Sequence, residues 1–412
     1  MRIGIIGGGP AGFFGAIFAA KSNPKAQITI LEATQQPLEK VLLSGGGRCN
    51  VTHSCFEPSE LVRNYPRGFK ELIGPFNSFQ PRNTVGWFNK QGVRLKTEED
   101  GRIFPVTDSS STIVDCLLQA ARDAGITIKL ASRVQQITCE QTSKSRAVFV
   151  VELIEGAIEK YDRVLIATGS SHQGHNFAAS LGHTIVPPVP SLFTFKIADT
   201  SLRELSGISF EDVQLTLYDK EIKLLTQRGP MLITHWGLSG PAVLKLSAWG
   251  ARLLHERHYH ADLRINFFPD ISRDEVVKQL RTYKDAHGRR RIVTECPFEL
   301  PKRYWNRIMQ CATIPDDLIW SHITKEQLAS ICTEVSSAPF AVSGKGIFKE
   351  EFVTCGGVAL NEVDFRTMQS KVCPGLFFAG EVLDIDGITG GFNFQSAWTT
   401  GWIAGQKMGL LD

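Results

Sequence analysis

The chain has 412 residues, 42% of them hydrophobic and 21% charged, with a formal net charge of +3. This is material for two or three domains with their own cores, which excludes a disordered chain, and the charge is too small to point to a polyanionic partner by itself. Nine scattered cysteines, without a CxxC or zinc spacing, exclude a disulfide framework and suit free thiols in a reducing compartment.

The opening "MRIGIIGGGPAGFFGAIFAA" has the basic start and apolar run of a signal peptide, but Gly7, Gly8, Gly9, Pro10 and Gly12 would interrupt its helix. A strand over 2–6, a helix over 10–22 and a strand over 27–32 account for the same residues as a βαβ unit. Gly7, Gly9 and Gly12 match GxGxxG, whose glycines permit a tight turn, backbone approach to a pyrophosphate and close helix–strand packing. Pro10 and Ala11 open the helix whose N-terminal amides would face the phosphates. Glu32 closes the second strand twenty residues after Gly12, where a carboxylate can accept both ribose hydroxyls of an adenosine. NAD(P) and FAD both fit this unit.

A second glycine segment, "LLSGGGRCNVT" at 42–52, lacks the lysine and spacing of a P-loop. The segment "DRVLIATG" at 162–169 predicts a strand ending in the small turn Ala167, Thr168, Gly169. The loop after it carries His172 and His175, expected at the surface. From Pro187, Pro188 and Pro190 the texture changes: "SLFTFKI" and "VQLTLYD" predict strands, and 273–286, 301–312 and 324–332 predict helices. "HWGLSGP" at 235–241 has a proline where a hydrolase elbow needs glycine, so Ser239 reads as part of a turn into a helix that starts at Pro241, and His235 as a core residue, with a pocket residue as the alternative. "HGRRR" at 287–291 and "PKRYWNR" at 301–307 interleave basic and aromatic residues, diluted by Asp285, Glu295 and Glu299. Near the end, "LFFAGE" at 376–381 predicts a strand closing on Gly380 and Glu381, followed by a glycine-rich loop that opens a helix. No segment has the about eighteen continuous apolar residues of a membrane span, so a cytoplasmic protein without a membrane partner is expected.

Through "GGGPAG" (7–12), "LLSGGGRCNVT" (42–52), "LITHWGLSGPAVLKLS" (232–247), "TCGGVALNEVDFRTMQSK" (354–371) and "GLFFAGEVLDIDGITGGFNFQSAWTTG" (375–401), the chain resembles the two-dinucleotide-binding-fold flavoproteins. Among these it is most similar to the NAD(P)/FAD-dependent oxidoreductase family of aminoacetone oxidase-like and bile-acid dehydro-reductase-like enzymes. The resemblance implies an α/β protein with a Rossmann-type FAD-binding domain built from both chain ends, 1–189 and 344–412, and an inserted β-rich plus helical domain over 190–343. It implies one FAD held jointly by both glycine segments. Ser44, Gly45, Gly46, Arg48, Cys49, Asn50 and Thr52 would run along the pyrophosphate and flavin, and Val134 would touch adenine through its backbone. Ala167, Thr168, Gly169, Gly380 and Glu381 would approach the dinucleotide. Gly387, Gly390, Gly391, Phe392 and Asn393 would present a helix N-terminus to the flavin pyrimidine edge, where reduction places negative charge.

The expected activity is hydride transfer between the flavin and a small organic substrate, with NAD(P)H as a transient co-substrate or the substrate itself as donor. A disulfide reductase would need a reactive cysteine pair and a second GxGxxG, and neither is present. Cys49 reads as a small buried residue rather than a nucleophile. The connection after Gly169 is shorter than in the family, so contacts carried there do not transfer. A flavoprotein of tRNA modification and a non-catalytic FAD module are the alternatives, although no nucleic-acid partner is expected. No general acid or base, metal site or oligomeric state is marked in the sequence.

Overall fold

Residues 1–141, 147–346 and 353–410 are described by a computed structural model. They divide into two units, Met1–Val189 with Val353–Asp412, and Pro190–Phe352.

In the first unit the strand Arg2–Ile6 lies inside a seven-stranded sheet, with Ile3, Ile5 and Ile6 buried. It pairs in parallel with Gln27–Leu31 on one side (Ile3↔Ile28) and Arg163–Ile166 on the other (Ile3↔Arg163). Thr127–Lys129 and Leu376–Phe378 extend the parallel part outward, and the short strands Gln369–Ser370 and Val363–Asp364 finish one edge antiparallel. With both faces covered, the strand is apolar from Ile3 to Ile6. The mixed α/β architecture with a parallel Rossmann-type sheet is the one expected.

The helix Pro10–Ser22 is buried continuously from Ala11 to Ala20, so it is apolar all round rather than striped. It packs along the C-terminal helix Phe392–Gly409. Small residues set the separation: a Cβ on Gly401 would lie 2.5 Å from the Ala11 carbonyl oxygen, and one on Gly405 would lie 2.4 Å from that of Gly15. Phe14 fills the space beside this contact, 4.7 Å from the rings of both Trp87 and Trp398.

In the second unit six strands close an antiparallel barrel in the order Phe195–Ile197, Gly237–Ser239, Ile222–Thr234, Ser209–Asp219, His260–Asn266 and Ala338–Lys345. Alternation along Ser209–Asp219 puts Val213, Leu215 and Leu217 inside. Helices Arg273–His287, Lys302–Cys311 and Lys325–Ser336 contribute Leu280, Trp305 and Ile331 to the same core. The run "SLFTFKI" is not one strand: Leu192 turns the chain through φ 58°, and extended structure resumes only at Phe195. The barrel keeps Ala338–Lys345 as its last strand, so the second unit continues past residue 343.

Candidate functional site

The three fingerprint glycines have different duties. Gly7 has φ 107°, and a Cβ there would meet the Ala167 carbonyl oxygen at 2.5 Å. A Cβ on Gly12 would lie 2.1 Å from the Gly7 carbonyl oxygen, so these two glycines are required by the protein itself. Gly9 is different: nothing lies within 4 Å of its Cβ position, and its φ of −90° suits any residue. It is the N-cap of Pro10–Ser22, with no side-chain cap bond to the first turn. Glu32 stands across the turn, accepting from Gly8 N at 2.8 Å through Oε2 and from Thr34 N and Oγ1 at 2.8 and 2.9 Å through Oε1. Oε2, with a single backbone donor, has a second lone-pair direction left.

The strand ends converge on this turn. Ala167 N donates to Ile6 O at 2.9 Å, and Gly169 adopts φ 61°. Gly380, at φ 77°, donates its N–H to Thr400 Oγ1, and its Cβ position is 2.9 Å from that of Ala11. Glu381 pairs with Lys40 at 2.8 Å and accepts from Thr354 N. Val134 starts a strand whose first carbonyl already accepts from Gln173 Nε2 at 2.6 Å.

The expectation of surface histidines after Gly169 holds for exposed His172 and needs correction for His175, which lies in the helix His172–Ser180. Its Gly174 packs against the Thr168 side chain, and the His175 ring is buried. Burial, then His172, lowers the His175 pKa against the opposing pull of Glu381.

The second glycine segment breaks the helix Glu39–Gly47 near its end: Ser44 is extended, and Gly45, Gly46 and Gly47 take φ of 59°, 67° and 82°. Gly46 and Gly47 face open space. Cys49 is buried at φ 59°, and desolvation pushes its thiol up to about 12 despite a lowering contact from Ser44, which removes a thiolate role at neutral pH. Arg48 lies over the Phe104 ring at 4.1 Å and pairs with Glu98 at 2.6 Å, so its fork is already engaged by the protein.

Asn50 and Thr52 bring this segment to the C-terminal loop. With its amide oriented to satisfy both neighbours, Asn50 donates to Thr52 O and accepts from Gly391 N at 3.0 Å. Thr52 Oγ1 donates to Gln395 Oε1 at 2.7 Å, and Trp398 Nε1 donates to Val51 O. Gly391, at φ 89°, caps Phe392–Gly409 without a side-chain bond, and Gly390 turns at φ 127°. Asn393 closes the loop on Gly387, accepting its N–H at 2.8 Å and donating to its carbonyl at 2.9 Å, while Phe392 stacks on His53. The 42–52 segment and the C-terminal glycine loop are therefore brought together.

Sequence reading missed the template beneath this loop. Asn64 O accepts from Ile388 N, Tyr65 OH donates to Phe392 O at 2.6 Å, and buried Asp386 takes a bidentate pair from Arg67. Residues 64–67 carry no fingerprint. The available signal was an aspartate placed directly before the loop in an otherwise apolar stretch.

Motifs in the second unit fall differently. Ser239 ends a strand, and Pro241 is the first residue of Pro241–Trp249. His235 is exposed, not a core residue. In "PKRYWNR", Tyr304 and Trp305 are core and Arg307 is buried between Asp199 and Glu334, while Arg290 of "HGRRR" pairs with Glu295. That stretch does not offer aromatic rings to a nucleic acid. Among the described residues no helix is long and apolar enough to cross a membrane.

Residues 1–407 match the family model described as "HI0933-like protein Rossmann domain". The chain is 29% identical over 412 residues to a ribosomal RNA dihydrouridine synthase of Escherichia coli, covering 98% of this chain and 97% of that protein. It is also 29% identical over 422 residues to a 3-dehydro-bile acid delta(4,6)-reductase of Clostridium scindens, covering 98% of each. A solved 3-ketosteroid-delta4-(5alpha)-dehydrogenase from Rhodococcus jostii shares the fold at a TM-score of 0.52 and 14% identity, covering 99% of this chain and 96% of that one.

Proposed function

The chain belongs to the HI0933-like Rossmann-domain family, and on that premise we propose that it is an FAD-dependent oxidoreductase that reduces a carbon–carbon double bond conjugated to a carbonyl group. The observation that carries the reading is a pair of glycine-led helix N-termini, at Pro10 and Phe392, neither with a side-chain cap, in one unit with the kinked glycines 45–47. Each N-terminus offers unpaired N–H groups and the positive end of a helix dipole to an anionic ligand. A pyrophosphate suits the first and a flavin pyrimidine edge suits the second.

The residues fit the cofactor by shape as well as by charge. Within the 7–12 and 42–52 segments, Gly9, Gly46 and Gly47 are the glycines where an added Cβ meets nothing of the protein, so the main chain there is open to close approach by a ligand. Glu32 would hold ribose, and Asn50, Thr52 and the 387–393 loop would line the flavin. When bound, FAD supplies hydride transfer at N5. The Arg67–Asp386 pair and Tyr65 keep the loop amides aimed before any ligand arrives, which saves reorganisation when charge develops.

Substrate chemistry is supported by what the two relatives' names have in common. Dihydrouridine arises by saturating a uracil double bond beside a carbonyl, and a delta(4,6)-reductase of a 3-dehydro bile acid saturates bonds conjugated to a ketone. In such a reduction hydride adds to the carbon β to the carbonyl and a proton to the α carbon, so the carbonyl is retained. NADH or NADPH is the two-electron donor in this proposal. Anaerobic mixing of the FAD-loaded protein with each nicotinamide, followed by a conjugated enone, should bleach and then restore the flavin absorbance. A flavin reduced by amines but by neither nicotinamide, or one never reoxidised by a conjugated double bond, would overturn the assignment in favour of an oxidase or a non-catalytic module.

A further inference from the structure

At one end of the barrel, the turn between Ile222–Thr234 and Gly237–Ser239 carries His235 and Trp236, both outside the core. Trp236 is 69% exposed, the same relative exposure as Ile222 and above every other tryptophan among the described residues. Its backbone is nonetheless fixed: its N–H donates to Thr234 Oγ1 and its carbonyl accepts from Ile197 N. Beside the indole is a small hollow of about 40 Å³, lined also by Lys196, Arg203, His235 and Asp199.

Charge in this hollow is one-sided. The Asp199 carboxylate is used twice over, accepting from Ser201 N as the cap of Thr200–Leu205 and pairing with Arg307 at 2.8 Å. Lys196 and Arg203 are exposed, and neither has an ion-pair partner among the described residues. A rigid, exposed indole next to two uncompensated cations is the combination that stacks a base and holds the adjoining phosphates.

We propose that Trp236, Lys196 and Arg203 form a contact site for single-stranded RNA, with a base on the indole and backbone phosphates on the two cations. This rests on the reading above in that it names the form in which the conjugated substrate is presented: a uracil ring within RNA. The hollow is too small to enclose a steroid-sized apolar body, and its uncompensated charge suits a polyanion better than a neutral enone.

The test is fluorescence anisotropy of a labelled single-stranded oligouridylate with the full FAD-loaded chain, repeated over a salt series. The wild type should bind, with affinity falling as salt rises. Trp236→Ala should weaken binding about tenfold with the salt slope unchanged. Lys196→Gln with Arg203→Gln should reduce the slope by about 1.4. Flavin absorbance and Tm serve as controls that each variant is folded and loaded. Wild-type levels of binding in both variants, or no binding by the wild type at low salt, would overturn the site. So would a steroid enone carboxylate whose binding, unlike that of RNA, is lost in Trp236→Ala. Reduction of the flavin by nicotinamide, measured separately, reports on the catalytic reading alone: RNA binding without it would sink that reading and leave the contact site standing.

Discussion

The nucleotide turn and the barrel tip handle a ligand in opposite ways. Around Gly9 and Gly46 the chain removes side chains, so that backbone N–H groups and helix ends do the binding. At the tip it places a large indole on a short, pinned turn, beside two long cations from Phe195–Ile197 and Thr200–Leu205. The first plan leaves no room for side chains between backbone and ligand, while the second tolerates substitution of any one side chain with its fold intact. Damage should therefore differ in kind: loss of folding or of cofactor in the first unit, and graded loss of affinity in the second.

The largest effect expected is at Gly12. A branched side chain there must displace the Gly7 carbonyl 2.1 Å away, so Gly12→Val should cost more than about 3 kcal/mol and be read as a collapse of Tm with or without FAD. Next is Asp386→Asn, which strands the Arg67 cation in a site where the pair is almost wholly buried. About 3 kcal/mol of stability should be lost by chemical denaturation, and loss of no more than surface-pair magnitude would mean the loop does not rely on this anchor.

A smaller effect is expected from pH. Burial lowers the pKa of both His175 and His183, in the second case against the pull of Glu362. The unfolded chain then takes up protons near pH ~6.5 that the folded chain refuses until the pH is lower. Stability is complete above that value and falls as pH drops through it, by at most about 1.4 kcal/mol per pH unit for each histidine. Denaturation midpoints across this range should show a shallower fall in His183→Gln. Smallest of all is Cys49→Ser: with the thiol protonated at about 12, turnover should stay within about twofold, and a larger loss would restore a thiol role.

Much of the first unit was legible because its chemistry needs specific backbone shapes. Only glycine gives the turn at Gly7 and the close packing at Gly12, so the βαβ unit and its helix and strand ends could be read directly. The kinked segment 44–47 and the loop 387–393 were legible as glycine clusters, but their union through Asn50 and Gly391 required three-dimensional pairing across more than three hundred residues of chain. The pairing of Arg48 with Glu98 and Asp108 was not legible because those partners lie far along the chain. His175 misled because a glycine beside it lets the helix sink against Thr168. The tip stayed hidden for the opposite reason: His235 reads as a core residue until the barrel's strand order turns its segment outward.

The central claim is that FAD lies against the bare backbone of the first unit, and Gly9 tests it most directly because a side chain there disturbs nothing in the protein. Apo-protein of the wild type and of Gly9→Val should be titrated with FAD, following quenching of flavin fluorescence, beside the Tm of each apo form. The expected result is equal apo Tm and FAD affinity lower by about a hundredfold, or about 2.7 kcal/mol. Equal affinity in a folded Gly9→Val protein would contradict the account.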